Sequence, residues 1–176
     1  MNETELLQAM DLWVKNLAID ATVMRKTIDA EGTCREAKKY IIGGLAYLLR
    51  KVDIIPDYMG GIGVLDDASV MRIACKLALD EGVPNASDEF KQLATESELV
   101  KLALEEFFVQ FENYVKNLPI EKIRNRNAET ILDEPGSIDQ FDRELEDETR
   151  GYRPKPLAQN TRTLRELKSF IKSKVR

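Results

Sequence analysis

Four carboxylates fall within the sixteen residues of VDIIPDYMGGIGVLDD, at Asp53, Asp57, Asp66 and Asp67. Oxygen-only side chains grouped this way suit a hard divalent cation, Mg²⁺, Mn²⁺ or Ca²⁺. A cation held there could activate water for hydrolysis, but no substrate is indicated and no catalytic residue is assigned. The spacing fits no EF-hand loop, which needs D-x-[DN]-x-[DN]-G and a later glutamate. The same residues also fit helix electrostatics with no ligand at all. With Asp53 as an N-cap, Ile54, Ile55 and Pro56 fill a first turn, where the missing N–H of proline costs nothing, and Asp57 lies near the positive end of the dipole. Asp66 and Asp67 fall in the first turn of a following helix. Helix caps and ion pairs, with Arg50 and Lys51 offsetting part of the charge, are the preferred reading; metal binding is the alternative.

Other chemistries are excluded or weakly signalled. The chain has no histidine, which removes Ser-His-Asp triads, His-ligated zinc and histidine proton shuttles within it. Gly60, Gly61 and Gly63 permit positive φ and close backbone approach, which suits a tight hairpin turn. They form no G-x-x-x-x-G-K-[ST] cradle, and two aspartates at the next helix start would repel a phosphate. Cys34 and Cys75 are the only cysteines and each sits in an apolar helical pattern, which points to a reducing compartment without disulfides. No cofactor is expected beyond the alternative cation, and the chain reads as a binding protein more readily than as an enzyme.

The elements that must position these residues are helical throughout. A chain of 176 residues, 43% apolar and 32% charged, is long enough for one domain with a real core. Leu6, Met10, Trp13, Val14 and Leu17 recur at helical spacing behind an Asn2/Glu5 capping box. A short second helix is expected from Asp20 to Gly32, and a third behind Thr33 and Glu36, carrying Ile41, Leu45 and Leu48. After the aspartate-rich turn, Leu65 to Glu81 places Val70, Ile73, Ala74 and Leu77 inward, with Arg72, Lys76 and Asp80 on the opposite side. Ser87 or Asp88 starts the next helix. A long one, with Phe107, Phe108 and Phe111, runs from Thr95/Glu98 to Pro119. The expected fold is all-α, a single compact helical domain over residues 1–126 built around an antiparallel hairpin at 40–79.

Composition shifts after Asn127. Residues 127–156 are acidic and poor in core-forming side chains, which predicts a flexible connector. Residues 157–176 form a basic amphipathic helix whose stripe, Leu164, Leu167, Phe170, Ile171 and Val175, is a candidate for docking on a protein partner, an anionic membrane surface or its own domain. Self-association is a further expectation. With a net charge of −5 and only the tail basic, nucleic acid is not an expected partner. The longest uncharged run before the aspartates, YIIGGLAYLL, is too short to span a bilayer, and the acidic opening MNETELLQAM carries no secretion signal, so a cytoplasmic location is expected.

The run from Val52 to Tyr58, followed by Gly63, Leu65, Asp66 and Asp67, resembles the signature of the YkvA-like bacterial family. That domain of unknown function reads as an apolar helix, IDLIPD, a short loop, LDD and another apolar helix. The likeness extends from Tyr40 to Leu79. It departs where Arg50-Lys51 and Gly60-Gly61 replace residues common in the family, and where Arg72, Lys76 and Asp80 interrupt a helix that is often apolar enough there to be read as membrane-spanning. The resemblance implies a helical hairpin and no established activity. The functional expectation is therefore a non-catalytic protein-interaction or scaffold module, with a divalent-metal-dependent protein as the alternative.

Overall fold

The computed structural model describes residues 1–50, 54–55 and 57–175, and of residues 57 and 58 the backbone only. Its helices are α1 (Glu3–Ile28), α2 (Arg35–Tyr47), α3 (Leu65–Gly82), α4 (Asp88–Thr95), α5 (Ser97–Leu104), α6 (Phe108–Asn117), α7 (Ala128–Asp133), α8 (Ser137–Arg150) and α9 (Thr161–Lys174). No strand occurs among the described residues, only an isolated bridge between Ile123 and Arg126. The protein is all-α and packs as a single domain, as the periodicity predicts.

α1 starts at the capping box, in which Asn2 Oδ1 accepts from the Glu5 amide at 2.9 Å and the Glu5 carboxylate accepts from the Asn2 amide at 2.8 Å. It then runs unbroken through Asp20, where a second helix was expected to begin. No glycine or proline lies between Leu17 and Asp20 to stop it, and the Asp20 side chain turns inward instead of capping. α2 is capped by Cys34, whose Sγ faces the Ala37 amide at 3.5 Å, and not by a Thr33/Glu36 box. Thr33 spends its hydroxyl on the Thr27 carbonyl.

α2 and α3 form the antiparallel hairpin at the centre of the core. A Cβ added at Gly44 would stand 2.6 Å from the Ala74 Cβ and 3.2 Å from the Met24 Cε, so the absence of a side chain lets the two helices meet closely. Gly44→Ala is accordingly expected to destabilise by roughly 1–3 kcal/mol, because the obstructing Ala74 methyl sits on the backbone of a packed helix and cannot swing aside. Urea unfolding of the variant reads this directly as a lower midpoint at unchanged slope.

Two segments differ from expectation. The long helix over 98–117 is broken by a 3-10 turn at Glu105–Phe107, with Glu105 at φ 51°. α9 packs against this break and against α5, with Lys168 paired to Glu105 at 2.8 Å and the Lys172 ammonium over the Phe107 ring. The acidic run after Asn127, predicted to be a connector, holds α7 and α8, and a non-helical stretch over 152–159 follows. Ile131, Phe141 and Leu145 point into the core. The carboxylates of these helices meet basic side chains of the body: Asp142 pairs with Arg25, Asp133 with Arg35 at 2.7 Å and Glu129 with Lys39 at 3.4 Å. Acidic composition signalled solvation, whereas the charge is used for docking.

Candidate functional site

The aspartate-rich turn is assembled from the C-terminal end of α2 and the first turn of α3. Tyr47, the last residue of α2, is fully buried. Its hydroxyl donates to Asp66 Oδ2 at 2.8 Å and accepts from the Ile54 amide at 3.1 Å. The same carboxylate oxygen accepts from the Ile55 amide at 3.1 Å. Asp66 therefore fastens two segments that precede its own helix. Asp66 and Asp67 lie in the first turn of α3, as expected; the N-cap Val64 makes no side-chain bond, and Asp66, besides feeling the pull of the first-turn amides, engages a link across the hairpin.

The electrostatics of Asp66 follow from this placement. Burial is the largest influence and pushes its pKa up to about 6, against the opposing pull of the Tyr47 hydroxyl, the Ile55 amide and the amides at the start of α3. Burial likewise drives the Tyr47 hydroxyl well above the usual phenol range, with the neighbouring Asp66 charge acting in the same direction. A neutral phenol donating to a carboxylate is thus the stable arrangement at neutral pH.

Asp67 is buried and contributes to the wall of an open cleft of about 490 Å³. Asp53 and Pro56 lie outside the described residues. Asp57 opens a 3-10 stretch, Asp57–Val64, that is kinked at Gly60, where φ is +77°; the Asp57 side chain is likewise outside the description. Gly63 is buried in the same stretch. Gly61 lies directly beneath the chain near the C-terminus: a Cβ there would meet the Pro156 and Lys155 carbonyl oxygens at 2.7 and 2.8 Å. That extended strap is held to α1, through Tyr152 on the Val14 carbonyl and the Leu157 amide on Asp11 Oδ1 at 2.9 Å. Sequence reasoning missed the strap; its only signal was Leu157, an apolar residue following two prolines.

The described charges around the cleft are balanced, with Arg50, Arg153 and Lys155 facing Asp67, Asp147 and Glu148. Arg50, expected to offset the aspartates, instead bonds the Tyr114 hydroxyl and Glu121, and its guanidinium lies 5.5 and 5.8 Å from the Tyr47 and Tyr114 ring centres. Among the described residues, no group of three or more Cys, Asp or Glu side chains is arranged to hold a metal ion.

A second polar cluster was not anticipated. Arg72, expected on the outer side of its helix, is 2% exposed. Its Nε donates to Glu96 at 2.8 Å, Nη1 to the Ala68 carbonyl at 3.0 Å and Nη2 to Asp20 at 3.0 Å, while the guanidinium covers the Trp13 ring at 4.3 Å. The stripe of α9 is also used internally. Leu167, Ile171 and Val175 are buried, and Leu164 and Phe170 pack half-buried against the same core. That helix docks on its own domain, and its apolar face is not available to another molecule in this arrangement.

Fold and site together define a small all-α protein organised about a helical hairpin with a hydrogen-bonded acidic turn. Residues 37–72, about a fifth of the chain, match the family described as "Protein of unknown function (DUF1232)". No curated protein and no solved structure matches the chain.

Proposed function

We propose that this chain is a non-catalytic helical protein-interaction module in which the acidic turn is framework. The observation that carries this reading is Asp66, fully buried, with one carboxylate oxygen accepting from both Tyr47 and Ile55. Through that oxygen the carboxylate orders a turn, and its other oxygen, Oδ1, is buried with no hydrogen-bond partner among the described residues and is closed to solvent. Large apolar side chains left more than half exposed, among them Leu12, Ile19, Leu102, Val109 and Ile120, offer surface for a protein partner. The likeness of the turn to the YkvA-like signature agrees with a hairpin whose sequence serves its own geometry. Free thiols at Cys34 and Cys75 fit a cytoplasmic location. No helix among the described residues is long and apolar enough to cross a membrane.

A second reading is a divalent cation held by Asp53, Asp57, Asp66 and Asp67, of which Asp53 and the Asp57 side chain lie outside the described residues. A divalent cation bound there would stabilise the folded chain by mass action. Thermal unfolding in EDTA and in millimolar Mg²⁺, Mn²⁺ or Ca²⁺ separates the two. The framework reading expects the same melting temperature in all four conditions. A rise of several degrees that disappears in Asp67→Asn would establish the metal reading in its place.

A further inference from the structure

We infer that the outward face of α1 is a self-complementary surface on which a second copy of this chain docks antiparallel; this rests on the interaction-module reading and names its partner. α1 has 26 residues and is roughly 39 Å long at 1.5 Å per residue. Leu12 and Ile19, two large aliphatic side chains seven residues apart on one face, are 56% and 63% exposed and so leave apolar surface for a partner. Beside them runs a groove of about 240 Å³ between α1 and α4, walled by Ala9, Asn16, Val23 and Leu93. Along the same outward face stand the exposed residues Glu5, Gln8, Lys15 and Lys26.

The order of these residues specifies the occupant. Their positions are symmetric about a point between Lys15 and Asn16, with Leu12 and Ile19 a matched aliphatic pair and Glu5 and Lys26 a complementary charge pair. Antiparallel pairing about that point sets Leu12 against Ile19 of the second copy, Gln8 against Val23, and Glu5 against Lys26. By two-fold symmetry each contact occurs twice, which is the defining property of an isologous dimer. Parallel pairing would instead oppose Glu5 to Glu5 and Lys26 to Lys26, so charge selects the antiparallel arrangement. The second Glu5 carboxylate oxygen remains for Lys26, since only Oε2 is bound to the Asn2 amide. The aliphatic contacts hold the pair together and the flanking charges set its register.

Sedimentation velocity of the full chain, from low micromolar to near-millimolar protein, tests this. The mass is expected to rise with concentration from that of the 20.1 kDa chain toward twice that value. Ile19→Glu and Leu12→Lys, both at exposed positions, should each weaken association more than about tenfold while leaving the far-ultraviolet circular dichroism unchanged. Glu5→Lys alone should also weaken it, and adding Lys26→Glu should restore it, a rescue that only the antiparallel register provides. A single-chain mass at every concentration, or a dimer indifferent to both Ile19→Glu and Leu12→Lys, would overturn the proposal. A dimer disrupted by those two variants without rescue by the charge exchange would overturn its antiparallel register. Failure here leaves the interaction-module reading intact, because that reading is tested separately, by a metal-dependent melting temperature lost in Asp67→Asn and by the coupling of Tyr47 to Asp66.

Discussion

Arg72→Ala is expected to lower the unfolding free energy by roughly 3–5 kcal/mol, the range for breaking a buried ion pair from one side. All three donating nitrogens of the guanidinium are used, on Glu96, the Ala68 carbonyl and Asp20, and its face lies on Trp13. Removing it leaves Asp20 buried beside Glu96 with no counter-charge. Lysine should not rescue the loss, because one ammonium cannot reproduce a planar fork bound in three directions. The effect depends on pH. Burial already raises the pKa of Asp20, while Arg72 opposes that rise, so losing Arg72 moves it further up. A carboxyl whose folded pKa is raised contributes its relative stability below the unfolded pKa and loses it as pH climbs through the folded value. The deficit of Arg72→Ala should therefore shrink on acidification, as Asp20 takes up a proton. Urea unfolding across a series of acidic to neutral buffers measures this.

Asp66→Ala is expected to cost roughly 2–6 kcal/mol, because it strands two buried donors, the Tyr47 hydroxyl and the Ile55 amide, at about 1–3 kcal/mol each. Asp66→Asn should be far milder at neutral pH, since its carbonyl oxygen can still accept from both. The two forms differ in their titration. With a folded pKa of about 6 and an unfolded value of about 3.9, the carboxyl favours folding most below the unfolded pKa. That contribution is lost as pH rises to about 6. The wild type should thus lose up to about 3 kcal/mol across that window relative to Asp66→Asn, and the difference between the two curves removes the background from other carboxylates.

The elements written in local patterns were legible. The Asn2/Glu5 box, the start of α4 at Ser87 and the place of Asp66 and Asp67 in the first turn of α3 all depend on residues within a few positions of one another, and the α2–α3 hairpin shows as two apolar helical runs flanking a glycine-rich turn. What escaped depends on long-range partners. Arg72 reads as solvated because a charged residue on a helix usually is; its partners stand 52 and 24 residues away and carry no local mark. Residues 127–150 read as a connector because their apolar side chains are few. Ile138, Phe141 and Leu145 nevertheless recur at helical spacing, and together they seat a helix that ion pairs also hold. The break at Glu105 has no glycine or proline to announce it, and α9 lies against it.

Whether Asp66 is spent on the hairpin is tested most directly by a double-mutant cycle joining Tyr47→Phe and Asp66→Ala, read by urea unfolding at neutral pH. Tyr47 and Asp66 share a buried hydrogen bond of 2.8 Å. Each single change should then be costly, while the second should cost much less once the first is made, a coupling of roughly 0.5–3 kcal/mol. Costs that simply add, to within about 0.3–0.5 kcal/mol, would contradict the account, because the carboxylate would then not be held by Tyr47 and the acidic turn would be available for other chemistry.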